Sequence, residues 1–183
     1  AILGLEDADL DAACREAAEG EVVEPVNFNA PGQTVIAGNA TAVARAIDAA
    51  KARGAKRAVL LPVSVPSHSS LMRGAAERLA GKLATVEVRL PDVADVYTVD
   101  VRKHASPDGI RQSLKEQLFK PVRWAETIRA MLAGGATTFV ECGPGKVLTS
   151  LNRRIERRPD LRLLALEDST SIAAALAACG ENP

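Results

Sequence analysis

Residues 22–37 read Val-Val-Glu-Pro-Val-Asn-Phe-Asn-Ala-Pro-Gly-Gln-Thr-Val-Ile-Ala, which is two strand-like runs on either side of a short turn. The first run is Val22–Phe28 and the second is Thr34–Ala37, and both are rich in β-branched residues. Between them, Ala30-Pro31-Gly32 brings together the proline and glycine that favour a tight connection. This stretch therefore predicts two neighbouring strands.

The same alternation continues on both sides of this pair. An apolar run at Ile2–Leu5 precedes it, followed by a helical face that begins at Leu10. After the pair, a helix with Asn39 at its N-cap leads to a further strand at Arg57–Val63. The order β-α-β-β-α-β is the ferredoxin-like plan. We therefore predict a small ferredoxin-like subdomain over residues 1–63.

From residue 64 onward, longer helices alternate with the strand candidates. A helix start is clear at Ser106-Pro107-Asp108, where a capping serine precedes a proline at the first helical position. Strands that alternate with helices predict a mainly parallel sheet. The chain as a whole is therefore predicted to be α/β, with a second region over 64–183. Its strand candidates are Val86–Leu90, Asp95–Val99, Thr138–Cys142 and Leu161–Leu166.

Composition excludes several classes of protein. The chain has 183 residues with 23 Lys and Arg against 23 Asp and Glu, so its net charge is zero, which argues against nucleic-acid binding. No apolar run approaches the ~18 residues of a membrane span. Three widely spaced cysteines fit a reduced, cytoplasmic setting better than a disulfide framework. The start at Ala1 has neither an initiator Met nor a signal-peptide pattern, so we expect part of a larger protein.

Several common catalytic motifs are missing from the sequence. It has no G-x-G-x-x-G dinucleotide fingerprint and no complete phosphate loop around Gly145-Lys146. Its two histidines lie 36 residues apart and no C-x-x-C occurs, so no metal site is predicted. It also lacks G-x-S-x-G, the nucleophile elbow of serine acyl-transfer enzymes.

His68 is the first candidate for chemistry, because it lies in a loop between a strand and a helix, where catalytic groups concentrate. Position alone leaves a surface or helix-capping histidine open as the alternative. The other histidine, His104, lies in a polar stretch and is expected to be solvated.

Three further segments allow both a structural and a functional interpretation. The amides of residues 27–33 either satisfy a turn or line a pocket. The cations Lys51, Arg53, Lys56 and Arg57 either complement a helix C-terminus or receive an acidic partner. Gly143-Pro144-Gly145 either makes a plain βα turn or directs backbone N–H groups at an anion.

Four motifs in this order resemble the bacterial malonyl-CoA:acyl-carrier-protein transacylase family of fatty acid synthesis. The likeness extends over nearly all of the chain and implies the C-terminal ~60% of that family. The motifs are Val26–Gly38, with Asn27-Phe28-Asn29 and Pro31-Gly32-Gln33; Pro62–His68, ending Val65-Pro66-Ser67-His68; Gln117–Trp124, with Pro121-Val122; and Glu141–Thr149, with Gly143-Pro144-Gly145-Lys146.

The resemblance implies a role for each of five residues. His68 matches the catalytic histidine, and Gln117 matches a glutamine whose main-chain carbonyl orients it, as an Asp does in a triad. Asn29 matches a substrate-pocket position, and Lys56 and Arg57 match a basic pair that docks the carrier protein. Residues 64–183 correspond to the C-terminal portion of an α/β-hydrolase-like subdomain. The nucleophilic serine, the carboxylate-binding arginine and an oxyanion-hole glutamine belong to the absent N-terminal part.

The implied reaction transfers malonyl from malonyl-CoA to the phosphopantetheine thiol of acyl carrier protein through an acyl-serine. No metal or redox cofactor is implied, a monomer is expected, and the 183 residues alone are expected to be inactive. Val65-Pro66-Ser67 departs from the aromatic motif of polyketide acyltransferases, so it does not separate malonyl from methylmalonyl. Two alternatives stay open: an acyltransferase domain of a polyketide synthase, and a non-catalytic effector-binding ferredoxin-like module.

Overall fold

The computed structural model of the chain describes residues 1–93 and 96–180. It divides into two compact units, Ala1–Thr127 and Ile128–Pro183. The predicted α/β class is confirmed, with an antiparallel sheet in the first unit and a parallel strand pair in the second. The proposed subdomain boundary between residues 63 and 64 stays a prediction.

The first unit opens with the predicted order β-α-β-β-α-β. Its four strands pair in the order β2-β3-β1-β4, and every pair is antiparallel. The elements are β1 (Ile2–Leu3), α1 (Asp7–Ala18), β2 (Val23–Ala30), β3 (Gln33–Gly38), α2 (Ala40–Ala52) and β4 (Arg57–Ala58).

Small side chains let α1 and α2 pack closely over this sheet. Ala13 on α1 and Ala42, Ala46 and Ala50 on α2 are all fully buried, beside Leu10. This cluster is continuous with the apolar face of the sheet, so the hydrophobic core of the first unit lies between the helices and the strands.

Asn39 precedes α2 as predicted, but its side chain does not cap that helix. Its Oδ1 atom instead accepts the backbone N–H of Val22 at 2.9 Å, which ties the start of α2 to the start of β2. Gly38 is required beside it, because a Cβ there would lie 2.0 Å from the carbonyl oxygen of Val22. The connection is thus fixed by close backbone approach rather than by capping.

Three further helices are α3 (Arg73–Leu83), α4 (Pro107–Glu116) and α5 (Trp124–Ala133). The predicted N-cap of α4 is confirmed, since the Ser106 hydroxyl accepts the N–H of Gly109 at 3.1 Å.

Two strand predictions in the first unit are wrong. The strand predicted over Arg57–Val63 ends at Ala58, and the apolar residues beyond it line a cavity instead of pairing. Val86–Leu90 makes no strand, since the described residues provide it with no neighbouring strand. For the candidate at 95–99, residue 95 lies outside the described residues, and Tyr97 forms only an isolated bridge with Arg102.

The second unit contains a parallel strand pair, as the alternation of strands and helices predicted. Residues Thr138 to Cys142 pair in register with Arg162 to Leu166. Its elements are β5 (Thr138–Cys142), α6 (Val147–Ile155), β6 (Arg162–Leu166) and α7 (Ser169–Gly180). Within residues 1–93 and 96–180, none of the helices is long and apolar enough to cross a membrane.

Candidate active site

His68 lies half-buried in the loop between β4 and α3, and its backbone is in a strained conformation. Its φ of +65° is in the left-handed region, which non-glycine residues adopt at a cost. The backbone N–H of His68 donates to the carbonyl of Leu118 at 2.9 Å. Such a conformation persists only where surrounding contacts determine it.

The imidazole of His68 contacts the main chain of Gln117, as the resemblance implies. Its Nδ1 atom lies 2.5 Å from the carbonyl oxygen of Gln117. Because a carbonyl oxygen can only accept, Nδ1 must carry the hydrogen of this bond. The neutral ring then keeps a lone pair on Nε2, which can accept a proton. The geometry therefore fits a general base held in one tautomer.

Strand β2 brings Gln117 and Leu118 to this loop although they are about 50 residues away in sequence. The N–H of Val122 donates to the carbonyl of Val26, and the N–H of Phe28 donates to the carbonyl of Val122, each at 2.9 Å. In the order β2-β3-β1-β4, strand β2 is the edge strand, so its free side is open to this segment. The Pro121-Val122 motif thus anchors the carbonyls that contact His68.

A second connection from β2 reaches the other side of the His68 loop. The carboxylate of Glu24 accepts the backbone N–H of Ser70 at 2.8 Å and its hydroxyl at 2.7 Å. Ser69, fully buried, donates its hydroxyl to the carbonyl of Pro66 at 2.7 Å. The sequence analysis did not single out Glu24. Its signal in the sequence was a carboxylate near the start of a strand whose other polar side chains are the amides Asn27 and Asn29.

Asn29 lines a cavity of about 740 Å³ together with the residues just before His68. The amide of Asn27 and the segment Ser64 to Ser67 share its wall, and Val43 and Ile47 of α2 supply apolar surface. The described residues of the lining carry amides, hydroxyls and aliphatic groups, together with the backbone of Ala1. The structure thus places Asn29 and the His68 loop around one space.

Lys56 and Arg57 lie apart from this cluster. Both are exposed, and Arg57 is in β4, at the opposite edge of the sheet from β2. Lys51 is paired with Asp48 at 3.2 Å, and Arg53 with Glu16 at 2.5 Å. Among the residues described, Lys56 and Arg57 have no carboxylate partner and make no hydrogen bond or ion pair with His68. Their two cationic groups are thus free for a partner.

His104 is not solvated, so that expectation was wrong. Only 8% of its side chain is exposed, and its Nε2 atom lies 3.1 Å from a carboxylate oxygen of Asp100. The ring of Tyr97 meets it edge to face at a centroid distance of 5.1 Å. The loop turns back on itself, with the N–H of Val101 donating to the carbonyl of Tyr97 at 2.8 Å, so the His104 side chain is enclosed although Arg102 and Lys103 beside it are exposed.

In the second unit, the Gly143-Pro144-Gly145 turn is closed by the chain's own carboxylate. Glu141 accepts the N–H groups of Leu148 at 3.0 Å and Thr149 at 2.7 Å, at the start of α6. Desolvation raises the pKa of Glu141, but these backbone hydrogen bonds favour the charged form, and its pKa is lowered overall. Glu141 therefore occupies the place at this helix start that an external anion could take.

Comparison with known proteins defines the class. A sequence profile described as "Acyl transferase domain" matches residues 2–164, so the chain belongs to the acyl transferase domain family. This membership favours acyl transfer over an effector-binding module.

The chain is similar to the malonyl CoA-acyl carrier protein transacylase of Escherichia coli (strain K12), with 52% identity over 176 residues. That alignment covers 96% of this chain and 56% of the relative, so the chain spans little more than half the relative's length.

Two solved structures match the fold closely. An acyl carrier protein S-malonyltransferase from Vibrio cholerae is 49% identical, with a TM-score of 0.91 over 95% of this chain and 56% of its own. A type II PKS acyl-carrier protein in complex with its malonyl-transacylase gives 47% identity and a TM-score of 0.93, over 97% of this chain and 57% of that one.

Proposed function

We propose that this chain supplies the general base and part of the substrate pocket of a malonyl-CoA:acyl-carrier-protein transacylase. The observation that carries the proposal is the contact between Nδ1 of His68 and the main-chain carbonyl of Gln117. This contact presents Nε2 as the proton acceptor. The nucleophilic serine comes from outside these residues, since the sequence contains no G-x-S-x-G.

The base acts in both halves of a two-step transfer. In the first half, Nε2 of His68 accepts the serine proton while the serine oxygen attacks the thioester carbonyl of malonyl-CoA. The tetrahedral adduct then expels CoA thiolate, which takes the proton back. In the second half, Nε2 accepts the proton of the carrier's phosphopantetheine thiol, whose sulfur attacks the malonyl ester. The serine then leaves and recovers that proton.

Gln117 performs the orienting task through a neutral carbonyl rather than a carboxylate. A carbonyl fixes the tautomer and direction of the imidazole, as the Asp of a serine triad does. It carries no full charge, so it stabilises the imidazolium of His68 less than an ionised Asp would. The chemistry requires no metal or redox cofactor, because every step is a proton or acyl transfer.

The remaining assignments follow from the placement of the other candidates. Asn29 contributes an amide to the cavity beside the His68 loop and binds polar atoms of the acyl or pantetheine group. Lys56 and Arg57, which are exposed and have no carboxylate partner in the described part of the chain, dock an acidic carrier protein. A cytoplasmic setting as a monomer fits these substrates.

A polyketide role is the second candidate, favoured by the similarity to a malonyl-transacylase in complex with a type II PKS acyl-carrier protein. The two roles differ in the carrier that is used, or in whether the domain lies within a polyketide synthase. Flanking ketosynthase and carrier domains on the same chain would identify an embedded polyketide domain. Relative kcat/KM for fatty acid and polyketide carriers would distinguish two stand-alone enzymes.

The decisive experiment replaces each histidine separately in a full-length protein that carries this chain and the serine. Acylation by radiolabelled malonyl-CoA and transfer to carrier protein are measured as separate half-reactions. We expect His68→Ala to slow both by about 10²–10⁴-fold, because both need the same base.

His104→Gln is the matched control, since His104 is largely buried and makes no contact with His68 among the residues described. Its rates per folded molecule should stay within about twofold of the unmodified protein. A loss of less than about tenfold in His68→Ala would remove His68 from the role of base.

A further inference from the structure

Glu24 and Ser70 are joined by two hydrogen bonds at the edge of the candidate site. Both oxygens of the Glu24 carboxylate are used, one by the N–H of Ser70 and one by its hydroxyl. Both residues are half-buried, and Glu24 has no ion-pair partner among the residues described. Hydrogen bonds to an ionised acceptor are roughly twice as strong as neutral ones. Both hydrogen bonds that the Glu24 carboxylate accepts here therefore come from Ser70, two positions after His68.

The contact between Glu24 and Ser70 lies just after His68, whose backbone conformation is strained. The φ of +65° at His68 has to be imposed by its surroundings, and Ser70 is where the backbone enters the turn that leads into α3. On one side, the carbonyls of Gln117 and Leu118 hold the histidine. On the other side, Glu24 reaches this turn from β2, and directly after the turn the guanidinium of Arg73 lies 4.5 Å from the centre of the Phe119 ring.

Both sets of contacts start from the same strand. The segment that carries Gln117 is paired to β2 through Val122, and Glu24 lies on β2 itself. Strand β2 therefore anchors both sets of contacts around His68, those of the Gln117 segment and those of Glu24 with Ser70. Removing the Ser70 contact would take away one of these two connections to β2 and leave the other, through the Gln117 segment, in place.

We infer that Glu24 is a positioning residue for His68: by binding Ser70, it holds the imidazole against the carbonyl of Gln117 and keeps it in the Nδ1–H tautomer. This inference deepens the proposed function and takes its catalytic relevance from it. The geometry itself can be tested without any acyl transfer.

The test uses the full-length protein that carries this chain, with ¹⁵N-labelled histidines. Two-bond ¹H–¹⁵N spectra are recorded at a pH where the imidazoles are neutral, with His68 and His104 assigned by single substitutions. We expect the unmodified chain to show His68 as the Nδ1–H tautomer, because Nδ1 donates to Gln117. In Glu24→Ala and Ser70→Ala, we expect His68 to move to a mixture of both tautomers. Ser70→Thr keeps both donors and should restore the Nδ1–H form.

Asp7→Asn is the matched control, because Asp7 accepts the hydroxyl of Thr34 at 2.9 Å elsewhere in the same unit. It replaces the charged acceptor of a comparable carboxylate–hydroxyl contact by a neutral amide oxygen, which weakens that hydrogen bond, and it should lower the melting temperature without changing the His68 signals. Nδ1–H signals that persist in Glu24→Ala would overturn the inference. So would equal signal changes in Asp7→Asn, since they would report general loosening.

A second readout separates this inference from the proposed function. In a full-length protein with the serine, Glu24→Ala should lower kcat by about 10- to 100-fold while KM for malonyl-CoA stays unchanged, because the base is misplaced but the pocket is intact. If His68→Ala leaves activity intact, the proposed function fails while the tautomer result stands. If His68→Ala abolishes activity and the Glu24→Ala kcat is normal, the positioning role fails.

Discussion

Two turns in this chain carry family motifs into the start of a helix, and they differ in what they hold. The His68 loop of the first unit is fixed by residues 46 and 49 positions away, Glu24 and Gln117. The Gly143-Pro144-Gly145 turn of the second unit is fixed by Glu141, seven and eight positions from the N–H groups that it binds. Each turn receives one carboxylate on its backbone.

The two turns differ in whether a group that can accept a proton is left available. At the Glu141 turn, the carboxylate and the N–H groups of Leu148 and Thr149 satisfy each other. At the His68 loop, distant contacts impose a strained backbone on a residue that keeps one ring nitrogen free to accept a proton. On the proposed function, long-range contacts that fix a strained, titratable residue therefore point to the active-site turn better than the glycine-rich motif does.

The largest expected effect concerns the nucleophile, which neither turn supplies. The 183-residue chain should show no transfer of malonyl from CoA to carrier protein, because it holds a base but no nucleophile elbow. Label transfer by the purified chain is the measurement, with buffer and the His68→Ala chain as blanks. Transfer above both blanks would show that a nucleophile lies within these residues.

The next effect tests whether Lys56 and Arg57, which have no carboxylate partner among the described residues, serve the His68 loop. Lys56→Glu with Arg57→Glu in the full-length protein should raise KM for carrier protein about 10-fold at low salt and less at high salt. Acylation by malonyl-CoA should be unchanged, because that step does not involve the carrier.

Lys51→Glu with Arg53→Glu is the control for this reversal. It makes the same charge change on cations that already have partners, Asp48 and Glu16. An equal rise in KM from both double variants would reduce Lys56 and Arg57 to general surface charge. Equal loss in both half-reactions would contradict docking altogether.

A smaller effect is expected at Gln117, because its contact with His68 uses the main chain. Gln117→Ala should lower kcat by no more than about threefold, whereas Gln117→Pro, which restrains the backbone, should cost far more. Steady-state kinetics in the full-length protein measure both. A severe defect in Gln117→Ala would assign the role to its side chain.

The smallest effect is a stability change at the Glu141 turn. Glu141→Ala should lower the free energy of unfolding of the chain by about 1 kcal/mol, the typical cost of a lost helix cap. Since the folded pKa of Glu141 is lowered, this stabilisation is present above its ordinary value of 4.5 and is lost as pH falls through the folded pKa.

Urea unfolding at several pH values checks both parts of this prediction. Glu87→Ala, which removes an exposed carboxylate paired with Arg89, should change stability by less than about 0.5 kcal/mol. A Glu141→Ala defect that grows as the pH is lowered would contradict the sign.

Local patterns predicted the fold well where each element is self-contained. Thr138–Cys142 was predicted with its observed bounds, and β2 and β3 were placed within two residues. Glycine and proline punctuate these runs, and apolar residues fill them. The run from Arg57 to Val63 looked the same, but its second half borders a cavity and has no strand to pair with. Apolar character alone does not show which partner a segment will have.

The site depends on contacts that no local pattern contains. His68 and Gln117 were linked through the family resemblance, and their 49-residue separation has no periodic signature. Glu24 was missed because its partner, Ser70, lies 46 residues away. His104 was expected in solvent because its neighbours in sequence are polar, yet Tyr97 and Asp100 fold over it.

Chemical rescue tests the central claim, that Nε2 of His68 is the general base, most directly. In the full-length protein with His68→Ala, added imidazole should restore turnover in proportion to the unprotonated imidazole concentration. Pyrazole, which has the same shape but is a far weaker base, should restore none. Equal rescue by both compounds would contradict this claim. So would a His68→Ala protein whose turnover is undiminished and does not respond to imidazole.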